Sequence, residues 1–164
     1  MCGVALEILQ AFAEVCEKNG LKYFLVAGTL LGAVRHQGFI PWDDDIDVCM
    51  PWSDYCRFLD IGQKELGDKY FVQTTKTDSN WYRPHAKIRM NGTAMFEKSM
   101  MNYHIHQGIW IDVFILTGIN NRLEFLVKRK LITISNYIQA DDYFLAIGKE
   151  NMKKELGKYP MSVS

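Results

Sequence analysis

The stretch FIPWDDDIDVCMP, residues 39–51, decides how the rest of this 164-residue chain can fold. It holds four aspartates between apolar neighbours. Apolar side chains alternate with Asp45 and Asp47, which is the period of two that a β-strand requires, and Pro51 can end that strand. We therefore predict a strand over residues 45–50 whose two aspartates point to one face, with α-carbons about 6.6 Å apart.

A lone acidic residue, Asp112, occurs much later in the apolar run IWIDVFIL, residues 109–116, which we also predict to be a strand. Burying an isolated carboxylate is costly, so Asp112 needs a partner. If its strand lies beside that of Asp45 and Asp47, three carboxylates converge, and a bound divalent cation is the ordinary remedy for their repulsion. Oxygen ligands without Cys or His favour Mg²⁺ or Mn²⁺ over zinc.

Two other acidic motifs compete for the same segment. An EF-hand loop starting at Asp43 requires Gly and Glu where the chain has Val48 and Asp54, and we discard it. A helical DDxxD motif has too little room between the flanking prolines. Asp43 and Asp44 can belong to a solvent-exposed acidic turn, or they can contact the metal ligands without binding the metal themselves. Both alternatives stay open.

Apolar periodicity and turn residues predict an alternation of helices and strands along the rest of the chain. The hairpin signal is Asn91-Gly92, and the strand nearest the N-terminus is expected to be buried on both faces. The predicted elements are helix 3–18, strand 21–27, a helix capped by Thr29 and stopped at Gly38, helix 53–66, strand 70–77, hairpin 85–90 with 93–97, strand 109–116, and helices within 121–156.

Gly28 and Thr29 come where a predicted strand gives way to a helix, an arrangement that suits a phosphate but is also an ordinary turn and cap. What strengthens the phosphate interpretation is the order: strand, Gly-Thr, helix, strand with Asp-x-Asp, then a later strand with one Asp. This order is typical of the nucleotidyltransferase fold of the DNA polymerase beta type. We therefore predict an α+β fold, with a mixed central sheet, flanking helices and a helical C-terminal third.

Composition excludes several classes of protein. Hydrophobic residues make up 48% of the chain and charged residues 23%, which is typical of a folded globular domain, and the length predicts a single domain over residues 1–164. The formal net charge is zero, so no uniform field favours nucleic acid. No apolar run reaches the ~18 to 20 residues of a membrane span, and the N-terminus lacks the basic segment of a signal peptide.

Four segments together are specific enough to resemble a known family. GTLLGAVRHQGFIPWDDDIDV (28–48), DYCRFL (54–59), KIR (87–89) and GIWIDVFIL (108–116) resemble the LicD family of phosphocholine transferases, which includes the fukutin-type enzymes, over about residues 4–118. The resemblance implies a nucleotidyltransferase-fold enzyme with a CDP-linked donor, typically CDP-choline. Such an enzyme transfers phosphocholine or a related phospho-alcohol to a sugar hydroxyl of a glycan and releases CMP.

The resemblance also implies roles for individual residues. Asp45 and Asp47 would hold the metal, Mg²⁺ or Mn²⁺, with Asp112 as the third carboxylate. The same three carboxylates are the expected catalytic residues. Asp112, or whichever of them lies nearest the acceptor, would take the proton of the attacking hydroxyl. Gly28 and Thr29 would contact the donor phosphate.

Four basic residues fall in matching segments and are expected to neutralise the donor diphosphate. Arg35 and His36 belong to the GAVRH segment, and Lys87 and Arg89 to the KIR segment. A structural ion pair between Arg35 and the acidic strand is an equal alternative.

No role is expected for His85, His104 or His106, which we predict to lie on the surface or in the hairpin. The family continues beyond its IDVF strand, whereas this chain stops at Ser164, so we expect the C-terminal part of the family to be lacking. The expected partners are the CDP-alcohol and a glycan acceptor, including a lipid-linked one, in the cytoplasm or at the inner face of the membrane.

Two rival functions fit the same residues. A nucleotidyltransferase that moves a whole NMP onto a small molecule or protein would use the same three carboxylates. A non-catalytic module that binds a nucleotide or glycan would bind CDP-choline without turnover.

Overall fold

The computed structural model describes residues 2–97, 100–101 and 103–116. The chain divides into two compact units, Met1–Phe96 with Tyr103–Thr117, and Glu97–Asn102 with Gly118–Ser164. The helices predicted within residues 121–156 lie outside the described residues.

The described part of the first unit is a five-stranded mixed sheet with three helices. The strands lie in the order β1-β2-β5-β4-β3, in which β2 and β5 are parallel and every other neighbouring pair is antiparallel. This confirms the predicted mixed central sheet with flanking helices. The elements are α1 (Cys2–Asn19), β1 (Phe24–Leu25), α2 (Ala27–His36), β2 (Asp47–Pro51), α3 (Trp52–Leu66), β3 (Tyr70–Gln73), β4 (Ala86–Met90) and β5 (Trp110–Leu116).

The core lies between one face of the sheet and the helices α1 and α3, which pack on it. Apolar residues of α1 recur at helical spacing and are buried as one stripe. Phe12 of α1 meets Phe58 of α3 edge to face, with ring centroids 5.2 Å apart. Val48 and Val113 are fully buried and stand opposite each other in β2 and β5, so their neighbours one position earlier, Asp47 and Asp112, point to the other face.

Three of the predicted strands differ from those observed. The strand predicted over 21–27 shortens to the two residues of β1, an edge strand in which Phe24 is 51% exposed, so the expectation of burial on both faces is wrong. β2 begins at Asp47, which leaves Asp45 in the preceding loop. β3 ends at Gln73 rather than at 77.

The predicted hairpin of 85–90 with 93–97 is also wrong. β4 forms as expected, but it pairs with β3 on one side and β5 on the other, so no edge is left for a third partner. Residues 93–97 are not a strand. Gly92 still makes a turn, with φ at +74°, and Thr93 Oγ1 bonds back to the carbonyl of Met90.

No helix within the described residues is long and apolar enough to span a membrane.

Candidate active site

A row of charged residues crosses the face of the sheet opposite the core. Asp47 of β2 is in register with Asp112 of β5, and Asp112 is in register with Lys87 of β4. Residues in register on neighbouring strands share a face, so the three side chains stand side by side. The strand of Asp112 therefore lies beside that of Asp47, as predicted from the need of Asp112 for a partner.

The side chain of Asp112 is only 10% exposed, and other side chains lie against both of its carboxylate oxygens. Trp110 Nε1 donates a hydrogen bond to Oδ2 at 2.9 Å, and Lys87 Nζ lies 3.4 Å from the same oxygen. His85 Nε2 lies 2.9 Å from Oδ1, without the alignment of a hydrogen bond. Burial raises the pKa of Asp112, but the contacts with His85 and Lys87 outweigh it, and the pKa falls below its ordinary value.

Asp47 and Asp45 have the opposite electrostatic environment. Burial, followed by the charges of Asp45, Asp112 and Asp43, raises the pKa of Asp47 to about 6, and Lys87 opposes this only in part. Burial and the neighbouring Asp43 also raise the pKa of Asp45. Asp43, Asp45 and Asp47, which we call the acidic group, therefore repel one another, and the surrounding cations do not relieve this repulsion.

The carboxylates of Asp45, Asp47 and Asp112 differ in how well they suit a divalent cation. Carboxylate oxygens with unrelieved repulsion fit a hard cation at Asp45 and Asp47. The carboxylate of Asp112 is engaged by Lys87 and His85, and across the described residues no three His, Cys, Asp or Glu side chains are grouped closely enough to hold a metal ion. Charge and ligand type thus fit at Asp45 and Asp47, and Asp112 lies beside Asp47, so a role for Asp112 as the third ligand stays a prediction.

Thr29 does not cap α2 as predicted. The helix begins at Ala27, and its N-cap residue Val26 makes no side-chain capping bond. Thr29 Oγ1 instead accepts a hydrogen bond from the backbone N–H of Asp47 at 2.8 Å. Thr29 therefore ties the first turn of α2 to the first residue of β2 and helps to place Asp47.

Gly28 makes room for an acidic side chain. A β-carbon at Gly28 would lie 2.3 Å from Asp43 Oδ2, so only glycine permits this approach. The carboxylate of Asp43 therefore lies at the N-terminal turn of α2, where we predicted the donor phosphate. The preceding residue, Ala27, has φ at +49°, which is uncommon for a residue with a side chain.

Two of the four predicted basic residues are buried. Lys87 and Arg89 are each 1% exposed, and both lie over the ring of Trp110, with Lys87 Nζ 3.8 Å from its centroid. Arg89 donates hydrogen bonds to Gln73 Oε1 at 2.6 Å and to the carbonyl of Gly108 at 2.8 Å. Lys87 thus contacts the candidate site through Asp112, while these bonds of Arg89 tie the sheet together.

The other two basic residues lie at the exposed end of α2. Arg35 and His36 occupy its last turn, with Arg35 Nε 3.4 Å from His36 Nε2. Their role toward a donor stays a prediction.

His85 is the site residue that sequence reasoning missed. It immediately precedes β4, and its ring lies 4.6 Å from that of Phe114 and 5.8 Å from that of Trp81. The carbonyl of His85 also accepts a hydrogen bond from Trp81 Nε1 at 3.0 Å. The prediction of a surface or hairpin position is therefore wrong for His85, and only the pairing of β4 with β5, which no local pattern reveals, brings it to Asp112.

A cavity of about 380 Å³ adjoins the acidic group. Its lining combines apolar side chains of α1, β1 and the loop before β2 with four residues of the candidate site. The lining residues are Leu6, Leu9, Leu25, Gly28, Thr29, Ala33, Gln37, Gly38, Phe39, Ile40, Asp43, Asp45 and Ile46. The volume lies within the range of small-molecule sites.

Comparison with known proteins places the chain in a family. The model of the family described as LicD/FKTN/FKRP, nucleotidyltransferase domain, matches residues 20–129. The lipopolysaccharide cholinephosphotransferase LicD of Haemophilus influenzae is 48% identical over 119 residues, which are 72% of this chain and 43% of that protein. The ribitol 5-phosphate transferase FKRP of Homo sapiens is 53% identical over 73 residues, 42% of this chain and 15% of that protein.

The chain therefore spans less than half the length of either of these relatives. The family match covers more than half of the chain and includes all three strands of the row of charged residues. On that match, this chain belongs to the LicD/FKTN/FKRP nucleotidyltransferase-domain family.

Proposed function

We propose that this chain transfers phosphocholine or a related phospho-alcohol from a CDP-linked donor to a sugar hydroxyl of a cell-surface glycan and releases CMP. The observation that carries the proposal is that Asp47 of β2 is in register with Asp112 of β5. The carboxylates of Asp45 and Asp43 lie close enough to Asp47 to raise its pKa further. Two relatives, a lipopolysaccharide cholinephosphotransferase and a ribitol 5-phosphate transferase, support a phospho-alcohol as the transferred group. We further assign the domain to the nucleotidyltransferase fold of the DNA polymerase beta type.

Mg²⁺ or Mn²⁺ is the proposed cofactor, with Asp45 and Asp47 as the residues that would hold it and Asp112 beside them. When bound, the ion supplies positive charge to the donor diphosphate and to the departing CMP. Burial and then the neighbouring carboxylates raise the pKa of Asp47, and this supports the proposal because a bound cation would offset the charge of the buried carboxylate and its repulsion by its neighbours.

Asp112 is the proposed proton acceptor. Lys87 and Trp110 hold Oδ2, which fixes the carboxylate and keeps it ionised, while Oδ1 faces His85. The proton of the attacking sugar hydroxyl passes to the carboxylate of Asp112. A base of low pKa suffices, because phosphoryl transfer depends on positioning and charge stabilisation more than on covalent chemistry.

Gly28 and Thr29 are proposed to lie against the donor phosphate, with Arg35 and His36 supplying charge from the end of α2. The Asp43 carboxylate at the first turn of α2 then has to move aside or bind the cation when donor enters. We place the reaction in the cytoplasm at the inner face of the membrane, because CDP-linked donors are made in the cytosol and the acceptor glycan can be lipid-linked.

A thermal-shift panel of CDP-choline, CDP-ethanolamine, CDP-ribitol and CDP-glycerol, with and without Mg²⁺, tests the donor and the ion together. We expect one donor to raise the melting temperature only when the metal is present. Labelled donor then separates transfer of the phospho-alcohol, which liberates CMP, from transfer of NMP, which leaves it on the acceptor. If no CDP-alcohol stabilises the chain, the proposed function is wrong. Donor binding without turnover on any glycan indicates the non-catalytic module.

A further inference from the structure

A second pocket, of about 120 Å³, lies at one end of the sheet. It is formed by the start of α3, the segments that follow β3 and precede β4, and the end of β5. Since β2 and β5 are parallel, their carboxyl ends meet at this edge, and open α/β sheets commonly bind ligands outside the carboxyl ends of their strands. The volume suits one small group rather than a drug-sized ligand.

One wall of this pocket is an exposed indole. Trp52 is 57% exposed, and its ring stacks on that of Tyr55, with centroids 6.3 Å apart and an interplanar angle of 20°. Tyr55 is only 4% exposed, and its hydroxyl is hydrogen-bonded to the backbone of Ala86, so the ring beneath Trp52 is fixed. A fixed aromatic face that is open to solvent suits a ring with an apolar C–H face, such as that of a sugar.

The polar side chains of the lining give the pocket a positive charge. Lys76, Arg83 and His85 belong to it, and among the described residues of the lining none is Asp, Glu, Asn or Gln. This arrangement attracts an anionic group. The lining also offers no carboxylate or amide oxygen to accept the amino group of a cytosine. A negatively charged sugar therefore suits the pocket better than the base of the donor nucleotide.

His85 connects this pocket with the proposed proton acceptor. It lines the pocket, and its Nε2 lies 2.9 Å from Oδ1 of Asp112. Ile115, which also lines the pocket, follows Asp112 by three positions on β5, about 10 Å along the strand. A disaccharide spans such a distance, so one sugar unit can occupy the pocket while the next presents its hydroxyl to Asp112.

We propose that this pocket is an acceptor subsite, which binds a negatively charged sugar unit of the glycan next to the unit that is modified. The origin of the ligand in an acceptor glycan rests on the proposed function, but the binding itself can be measured with sugars alone. Trp52 packs against the sugar ring, and Lys76 and Arg83 supply the charge opposite to that of its phosphate or carboxylate group.

The test titrates the full chain with glucose 6-phosphate, glucuronate, glucose and inorganic phosphate, followed by ligand-observed NMR. We expect one of the two charged sugars to bind at least fivefold more tightly than glucose and than inorganic phosphate. Trp52→Ala should weaken that sugar at least tenfold, and Trp52→Tyr should recover most of the loss because it keeps an aromatic face. Trp42→Ala, at a residue that is 80% exposed and outside the lining, is the matched control and should stay within twofold of wild type.

A second pair of variants tests the charge. Lys76→Gln, at an exposed position of the lining, should lower the preference for the charged sugar over glucose at least threefold. Lys64→Gln, at an exposed position of α3 outside the lining, should leave that preference unchanged.

The outcomes separate this inference from the function on which it rests. If neither charged sugar binds, or if binding is unchanged in Trp52→Ala, the subsite is overturned. Equal binding of glucose and the charged sugars overturns the part assigned to Lys76 and Arg83. Displacement of the bound sugar by CMP assigns the pocket to the donor and overturns the acceptor subsite. If the charged sugar binds as expected but no CDP-alcohol stabilises the chain, the sugar site stands and the CDP-linked donor is wrong.

Discussion

Replacing Asp47 with Asn should stabilise the metal-free protein at neutral pH, although Asp47 lies within the candidate site. Burial and then the charges of Asp45, Asp112 and Asp43 raise its pKa from 3.8 to about 6. The folded protein therefore favours the protonated carboxyl, and ionisation of Asp47 costs stability. Asn keeps the shape of the side chain and removes the charge.

The raised pKa of Asp47 determines how the free energy of unfolding changes with pH. A carboxyl whose pKa is higher in the folded chain contributes stability below its unfolded value, and this is lost as the pH rises through the folded value. For Asp47 the window runs from about pH 4 to about pH 6. A full shift corresponds to about 3 kcal/mol, and because the side chain is only half buried, solvent screening reduces this to ~1 to 2 kcal/mol.

The assay is urea unfolding followed by circular dichroism across this pH window in EDTA. We expect the free energy of unfolding of wild type to fall relative to Asp47→Asn by ~1 to 2 kcal/mol between about pH 4 and about pH 7.5. Asp60→Asn, at an exposed position of α3, is the matched control and should follow wild type. Mg²⁺ should then stabilise wild type more than the variant. If Asp47→Asn is the less stable protein at neutral pH in EDTA, the repulsion argument is refuted.

Three further substitutions test contacts around the site. His85→Phe keeps a ring between its aromatic neighbours but removes the contact with Asp112, so urea unfolding should show a loss of ~1 to 3 kcal/mol that His85→Gln largely restores. Lys87→Met leaves the buried Asp112 carboxylate without its nearest lysine, and a loss of ~3 to 5 kcal/mol is expected in the same assay. Thr29→Val removes the acceptor for the N–H of Asp47, so amide hydrogen exchange at Asp47 should accelerate while Thr29→Ser stays close to wild type.

Each of these three expectations has an outcome that contradicts it. Equal stability of His85→Phe and wild type means that the contact with Asp112 contributes nothing. A Lys87→Met protein as stable as wild type means that the other partners of Asp112 suffice. Unchanged exchange at Asp47 in Thr29→Val means that the hydroxyl does not hold the start of β2.

The sequence predicted the neighbourhood of Asp47 and Asp112 because burial of a charge is a strong constraint that any fold has to satisfy. Amphipathic periodicity likewise located α1 and α3 to within a residue or two at each end. The hairpin failed because Asn91-Gly92 specifies a turn, whereas the partner of β4 is decided by strands distant in sequence.

The site itself could be predicted less completely. Thr29 has the same local sequence whether it caps a helix or accepts a hydrogen bond from β2, and only the tertiary structure separates these roles. Arg89 and Lys87 were expected to face a donor, but aromatic rings cover both, and no pattern in KIR distinguishes a buried cation from an exposed one. His85 precedes a strand and has no periodic signal at all.

The parallel pairing of β2 with β5 also bears on how the candidate site forms during folding. Asp47 and Asp112 are about 65 positions apart in the chain, so their meeting depends on a long-range closure that local structure cannot provide. A nascent chain released before β5 would contain the whole WDDDID motif and still lack the assembled row of charges. Affinity for a ligand at this row is therefore a sensitive reporter of complete folding, and fragments that end upstream of residue 110 should be inert as binders.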